Sequence, residues 1–265
     1  MELIREAGNM GKFYPSDCKA LKNTIEHFNK KSVSSTNKSF SETRPRAIIS
    51  PHAGYIYSGY TANAAHHLIS NTQPKRIIVI GPSHHLYIDG ISAGFYKSYQ
   101  TPCGNLETDI KYLKNLDSSY NFLFENRAHY LEHSTETQMP FINYYNPQAK
   151  VIELIYGKTD WMQLTELIEY ILSDKNNVVV ISSDLSHFYP ISIAKKLDAV
   201  CIEAIERKDT NLLDDCEACG ITGIKAILDV ADKLNLQTDI LDYRTSADVS
   251  EDSTSVVGYA SAVIW

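Results

Sequence analysis

Little in this sequence points to a membrane, a nucleic acid or an oxidising compartment. No stretch reaches the roughly 20 consecutive apolar residues that a helix needs to cross a bilayer, so no membrane span is expected. The opening "MELIREAGNMGKFYP" lacks the charged-then-apolar layout of a secretory signal, and the expected location is the cytoplasm. Basic residues are outnumbered, 25 Lys and Arg against 32 Asp and Glu, for a net charge of −7. A phosphate backbone selects basic faces, so a nucleic-acid partner is not expected. Cysteine is scarce as well. The five residues Cys18, Cys103, Cys201, Cys216 and Cys219 are odd in number and irregularly spaced, which argues against a disulfide framework. No internal repeat or low-complexity tract is visible.

What remains is ample material for one core. The chain has 265 residues, 43% hydrophobic and 22% charged, within the range of one α/β domain spanning 1–265. Asp17 can cap a helix whose Leu21, Ile25 and Phe28 fall at helical spacing. Residues 31–46, rich in Ser, Thr, Asn and Lys, suggest a surface loop. Strands then alternate with helices. Strands are expected near 46–50, 76–81, 90–95, 120–124, 150–156 and 177–183, and helices near 59–70, 105–116, 134–145, 160–173, 190–207 and 220–235. Two final strands near 238–244 and 254–264 have only a short polar stretch between them and can pair antiparallel. Apolar strands interleaved with helices predict a three-layer α/β domain, with a largely parallel mixed sheet covered on both faces.

Three of these strands end alike. "AIISPHAGY" (47–55), "IIVIGPSHH" (77–85) and "VVVISSDLSH" (178–187) each run from β-branched residues into a small polar turn carrying histidine. Ligands of open α/β sheets bind beyond the carboxyl ends of the strands. His52, His84, Asp184 and His187 are therefore expected to meet at one edge, and imidazole with carboxylate suits a metal or an acid–base site. His27, His66, His67 and His129 have no such context and are read as structural. Tyr55 and Tyr57 serve packing or substrate about equally well. "EHSTETQMPF" (132–141) puts His133 and Glu136 on one helical face, but Thr135 and Gln138 there could instead form a capping box. Cys216-x-x-Cys219 has redox spacing, and a thiolate at the start of the following helix equally suits one ligand of a mixed site. Cys219, beside Gly220, is the better placed; Cys216 lies among acidic residues that disfavour a thiolate. Cys201 occupies a core position of its helix.

Taken in order, "GKFYP", "PHAGYIYSG", "GPSHH", "TPCGNLETD", "EHSTETQMPF", "SSDLSHF", "CGITGI" and "SVVGYASAVI" resemble the Memo family, whose members are also called AmmeMemoRadiSam system protein B. The resemblance runs essentially end to end. It implies a fold related to the class III extradiol dioxygenases, with His52, His84 and Cys219 in the metal-ligand positions. Asp184 and His187 would be polar residues of the same pocket, and His133 and Glu136 would support them, while His85 is left to the turn. Those dioxygenases use two histidines and a carboxylate. A thiolate in the third place is softer and itself oxidisable, so their activity does not transfer with the fold. An aliphatic residue would be expected where Cys103 stands, and the resemblance gives it no role.

Three functions are compatible with these residues. The first is an oxidoreductase using iron or copper on a small molecule or modified residue, in a pathway with AMMECR-type and radical-SAM partners. The second is a zinc-dependent hydrolase or lyase, and the third a metal-binding protein without catalysis.

Overall fold

A computed structural model describes residues 3–32, 40 and 42–265. Of the segment expected to be a loop, 31–46, residues 33–39 and 41 lie outside the described residues, and 31–32 end the helix Cys18–Ser32. The strands in chain order are β1 (Ile4–Arg5), β2 (Ala47–Ser50), β3 (Arg76–Pro82), β4 (Ile91–Ala93), β5 (Ser98–Thr101), β6 (Gly104–Glu107), β7 (Lys150–Tyr156), β8 (Asn177–Ser182), β9 (His187–Tyr189), β10 (Thr238–Thr245) and β11 (Val256–Ile264). The main sheet runs β10-β11-β2-β8-β3-β7-β4, with β9 paired to β11. Its centre, β2-β8-β3-β7, is parallel, and β11, β10 and β4 pair antiparallel at the flanks. The sheet is mixed α/β and flanked by helices, as the sequence predicts.

Strand alternation explains the layers. Along β3, Ile78 and Ile80 point to one face and Ile77 and Val79 to the other, and all four are fully buried. The first face packs against Leu167, Ile168 and Ile171 of helix Trp161–Ser173 and against Ile224 and Ile227 of helix Ile221–Lys233. The second packs against Ala65 and Ile69 of helix Tyr55–Ile69 and Met139 and Ile142 of helix Met139–Tyr145. Helix Cys18–Ser32 lays Leu21 and Ile25 over Tyr55 and Ala62 as an outer layer. None of the helices among the described residues is long and apolar enough to cross a membrane.

Several expectations are corrected. Residues 104–107 form β6 in a small β1-β5-β6 sheet, and the helix begins only at Ile110, where the Asp109 side chain accepts from the Tyr112 amide. The apolar spacing expected for a helix from 105 begins, in the structure, with a strand whose Leu106 faces the core. Residues 120–124 form no strand and contribute one isolated bridge, Ser92 with Leu123. The cysteines pair: Cys18 with Cys103 and Cys201 with Cys216, at Cα separations of 4.8 and 4.9 Å. The argument from odd number and spacing therefore fails, since the spare cysteine is Cys219 alone. Cys103 gains a role, tying the β5–β6 turn to helix Cys18–Ser32. The redox reading of Cys216 with Cys219 is overturned too, because Cys216 is bonded to Cys201 on helix Ile191–Arg207.

Candidate metal centre

The register of the parallel strands brings the three turns together. Ser50 pairs with Ser182, and Ile181 of β8 also pairs with Ile80 of β3, so all three strands end at one level. His52 and Asp184 each lie two residues past their strand, and His84 two past Pro82. Helix Ile221–Lys233 delivers Cys219 to the same edge. Its N-cap Gly220 passes so close to β8 that an added Cβ would stand 2.5 Å from the Ser183 Cβ and 2.7 Å from the Ser182 carbonyl oxygen. Any side chain at 220 would push Cys219 out of the site.

Ser182 fixes the form of His52. Its hydroxyl proton goes to the Ser134 carbonyl, so its lone pairs accept from Gln138 Nε2 at 2.9 Å and from His52 Nδ1 at 2.9 Å. His52 therefore carries its proton on Nδ1 and leaves Nε2 bare, as a metal ligand requires. Burial, with His84 nearby, pushes the His52 pKa down to about 3, so the ring is neutral at physiological pH.

His84 is held in the same way by Glu132. This fully buried carboxylate accepts from the His84 amide at 2.6 Å, the His84 Nδ1 at 2.9 Å and the Ser134 amide at 3.0 Å. Burial opposes its charge, but these bonds and the His84 ring bring its pKa down to about 2. The His84 Nε2 is left without a hydrogen-bond partner among the described residues.

His133 completes the cluster. Its ligand nitrogen and those of His52 and His84 all lie within 4.8 Å of one another. Burial, together with His52 close by, brings its pKa down to about 4. Cys219 Sγ lies 3.3 Å from His52 Nε2 and accepts from the Asp184 amide at 3.2 Å, but it does not lie within 4.8 Å of the ligand atoms of both His52 and His84. Burial, reinforced by Asp184, pushes this thiol up to about 12.

Asp184 is buried. Its Oδ1 accepts from the His52 and Ala53 amides at 2.7 and 3.3 Å, and its Oδ2 stands 4.0 Å from His52 Nε2. Burial raises its pKa, though the amide of His52 and the neighbouring His187 pull the other way. His187, half-buried on β9, acts electrostatically on both Asp184 and His52.

Of the seven residues singled out in the sequence, His52, His84, His133, Asp184, His187 and Cys219 gather at this edge. Glu136 does not. It is buried against the N-terminal segment, accepting from Arg5, from Asn9 at 2.7 and 3.1 Å and from the Tyr14 hydroxyl at 2.8 Å. The capping box of Thr135 and Gln138 is absent as well. Thr135 donates to Glu153, Gln138 to Pro51 and Ser182, and Glu132 caps the short helix His133–Glu136 in their place. His66 and His129 are satisfied in the interior, by Gln138 and Glu153 respectively. Tyr55 is buried and donates to the Thr137 carbonyl, so it packs.

Sequence reasoning missed Glu132, Ser134, Gln138 and Ser182. The first three stand inside "EHSTETQMPF" and the last opens "SSDLSH", but each acts through a partner far away in sequence. A glutamate directly before a histidine at a helix start was the one local signal.

A cleft of about 690 Å3 is lined by Phe13, Tyr57, Tyr60, Phe28 and Arg244 among others, and by none of the cluster's own side chains. Phe13 forms the partition, its ring centroid 4.8 Å from that of His133. Arg244 lies over the Tyr60 ring at 3.8 Å with its Nε held by Asp242.

A family profile described as Memo-like protein matches residues 5–263. A MEMO1 family protein of Methanobrevibacter smithii is 32% identical, over 98% of this chain and 99% of its own length. Relatives of the same description from Saccharolobus solfataricus and Metallosphaera sedula are 33% and 31% identical, over 95% and 94% of this chain and 96% and 95% of theirs. A profile match over nearly the whole chain and relatives above 30% identity place the chain in the Memo-like family.

Proposed function

We propose that this protein binds one divalent metal ion through His52, His84 and Cys219, and uses it in redox chemistry on a small molecule or modified residue. The observation that carries the metal reading is the convergence of imidazole rings whose Nδ1 is committed elsewhere, that of His52 to Ser182 and that of His84 to Glu132. That pattern, a ligating ring oriented by an oxygen acceptor behind it, is what metal sites use to fix tautomer and direction. The 3.3 Å between Cys219 Sγ and His52 Nε2 is close to the spacing of two donors on one tetrahedral ion, given bonds of about 2.1 Å to nitrogen and 2.3 Å to sulfur. An N–H from Asp184 already points at the sulfur and favours its thiolate form.

Iron or copper bound here would supply one-electron chemistry and Lewis acidity next to the aromatic cleft. The chain's own groups divide the remaining work. Ser182 and Glu132 hold the two imidazoles. Phe13, Tyr57 and Tyr60 give a planar or apolar substrate a surface, with Arg244 at its edge. Asp184 Oδ2, unbonded and more basic than an ordinary carboxylate, takes or returns a proton, and His187 beside it passes that proton towards solvent. On this reading the protein works in the cytoplasm, in a pathway with AMMECR-type and radical-SAM partners.

A second reading, zinc-assisted hydrolysis or elimination, is favoured by the presence of a third imidazole. Three histidines around an open position are a known arrangement for activating water. Metal analysis of anaerobically purified protein separates the two. Stoichiometric iron or copper supports redox chemistry, stoichiometric zinc supports the hydrolytic reading, and the absence of any tightly held ion in wild-type protein sinks both.

A further inference from the structure

We propose that the ion reaches this site through a relay of overlapping ligand sets that begins at His85. The inference rests on the metal-binding reading above and adds an entry route to it. His85 is exposed and lines a cleft of about 400 Å3 together with Leu86, Tyr130 and Leu131. Its Nε2 is 3.3 Å from His133 Nδ1, which is in turn 3.5 Å from Glu132 Oε1. Donors on one tetrahedral ion with bonds of 2.0–2.1 Å are separated by about 3.4 Å, so the His85–His133 and His133–Glu132 separations each match two neighbouring donors of one ion. His85, Glu132 and His133 offer ligand atoms within 4.8 Å of one another, as do His52, His84 and His133.

The sets form a series. His133 belongs to the outer triad and to the three-imidazole triad, and His52 and His84 belong to the latter and to the site proposed above, where Cys219 Sγ stands 3.3 Å from His52 Nε2. At the first step the ion keeps His133 and exchanges the other two donors, and at the second it keeps His52 and His84 and exchanges one. This matters because the innermost ring is sealed: the His52 side chain is 1% exposed, against 19% for His133 and 28% for His84. An ion arriving with its waters cannot meet His52 directly. Glu132 draws it inward by charge, and because its Oε1 already accepts from His84 and Ser134 it holds the ion only in passing. Because His133 is shared, the outer triad empties as the inner one fills, and the protein holds one ion at equilibrium.

The test is stopped-flow uptake of cobalt(II) by anaerobic apoprotein. The thiolate-to-cobalt charge-transfer band reports arrival at Cys219, and a separate titration measures equilibrium affinity. His85→Ala, at an exposed position, should slow arrival by about tenfold, the lower end of what local focusing of an ion contributes to an on-rate. Its equilibrium affinity should stay at the wild-type value, and His85→Gln should behave the same way. An unchanged rate in both variants would overturn the relay in favour of direct capture at His84. Affinity falling in step with rate, or a stoichiometry of two ions, would overturn it by making His85 a permanent ligand. If wild-type protein takes up no cobalt, the metal-binding reading itself fails, an outcome distinct from any effect of the variants.

Discussion

Two histidine–carboxylate pairs in this protein are nearly alike in chemistry and opposite in use. His84 and Glu132 meet at 2.9 Å through Nδ1, and His129 and Glu153 meet at 2.7 Å through Nδ1. In the second pair both residues are fully buried and nothing is left over. His129 Nε2 is bonded to Ser92, Thr135 donates to Glu153, and Arg5 donates to the His129 carbonyl. Burial works against charge on Glu153, but His129, Arg5 and Thr135 keep its pKa below the usual value. In the first pair only the rear nitrogen is used, and Nε2 faces two other imidazoles. A pair with every polar atom satisfied fastens the β4–β7 side of the core. A pair left open at one nitrogen makes a site. Residue type does not separate them; the exposure of the histidine and its unspent lone pair do.

His84→Ala should separate the two pairs most sharply. It should abolish tight metal binding, a loss beyond the roughly 10–100-fold that removing an orienting partner costs, and lower stability by about 1–3 kcal/mol, since buried Glu132 loses one partner but keeps the amides of residue 84 and Ser134. Isothermal titration and chemical denaturation of the same preparation check both. Glu153→Ala should do the reverse. It strips the counter-charge from a buried pair and should cost about 3–5 kcal/mol, seen as a fall in the denaturation midpoint, while the folded fraction keeps its metal affinity. Glu132→Gln lies between them. It keeps the shape but loses the charge behind His84, and metal affinity should fall by about 10–100-fold.

A smaller and more graded effect is expected from pH. The Cys219 thiol is pushed up to about 12, so between pH 8 and 10 it is protonated in the free protein and must lose that proton to bind as thiolate. Apparent affinity should therefore rise about tenfold per pH unit over this range. His52 and His133, with pKa values brought down to about 3 and about 4, are already deprotonated there and contribute no slope. In Cys219→Ser the slope should vanish, with affinity weakened. A flat wild-type profile would instead favour His133 as the third donor. Cys216→Ser should have the least effect on metal affinity, because Cys216 is bonded to Cys201 and faces away from the cluster's chemistry.

The parts legible in sequence were those written in consecutive residues. Apolar β-branched runs gave β2, β3, β7 and β8, and a histidine or aspartate just beyond three of them gave the edge where His52, His84 and Asp184 meet. The antiparallel β10–β11 pair followed from the short polar link between two strand-like runs. β1, β5 and β6 were not legible, being two to four residues long with no apolar run to announce them; each is fixed by its neighbours in the small sheet. The cysteine pairs were equally hidden, because Cys18 and Cys103 are 85 residues apart and only folding brings them together. Glu136 misled for a related reason. Its helical spacing from His133 is real, but the fold gives one residue to the cluster and the other to Arg5, Asn9 and Tyr14. The orienting residues Ser182, Gln138 and Glu132 reveal their function only through hydrogen bonds between separate segments, and such bonds leave no period in a sequence.

The central claim is that one ion sits on imidazole nitrogen and thiolate sulfur at the carboxyl edge of the sheet. X-ray absorption at the edge of the bound metal tests it most directly, since it counts and types the donors without reference to activity. The account predicts a first shell containing at least two imidazoles, seen by the outer-ring scattering, and one sulfur near 2.3 Å, the usual metal–thiolate length. The sulfur should disappear in Cys219→Ser, and imidazole scattering should fall in His52→Ala. A shell of oxygen atoms alone, unchanged by either substitution, would contradict it.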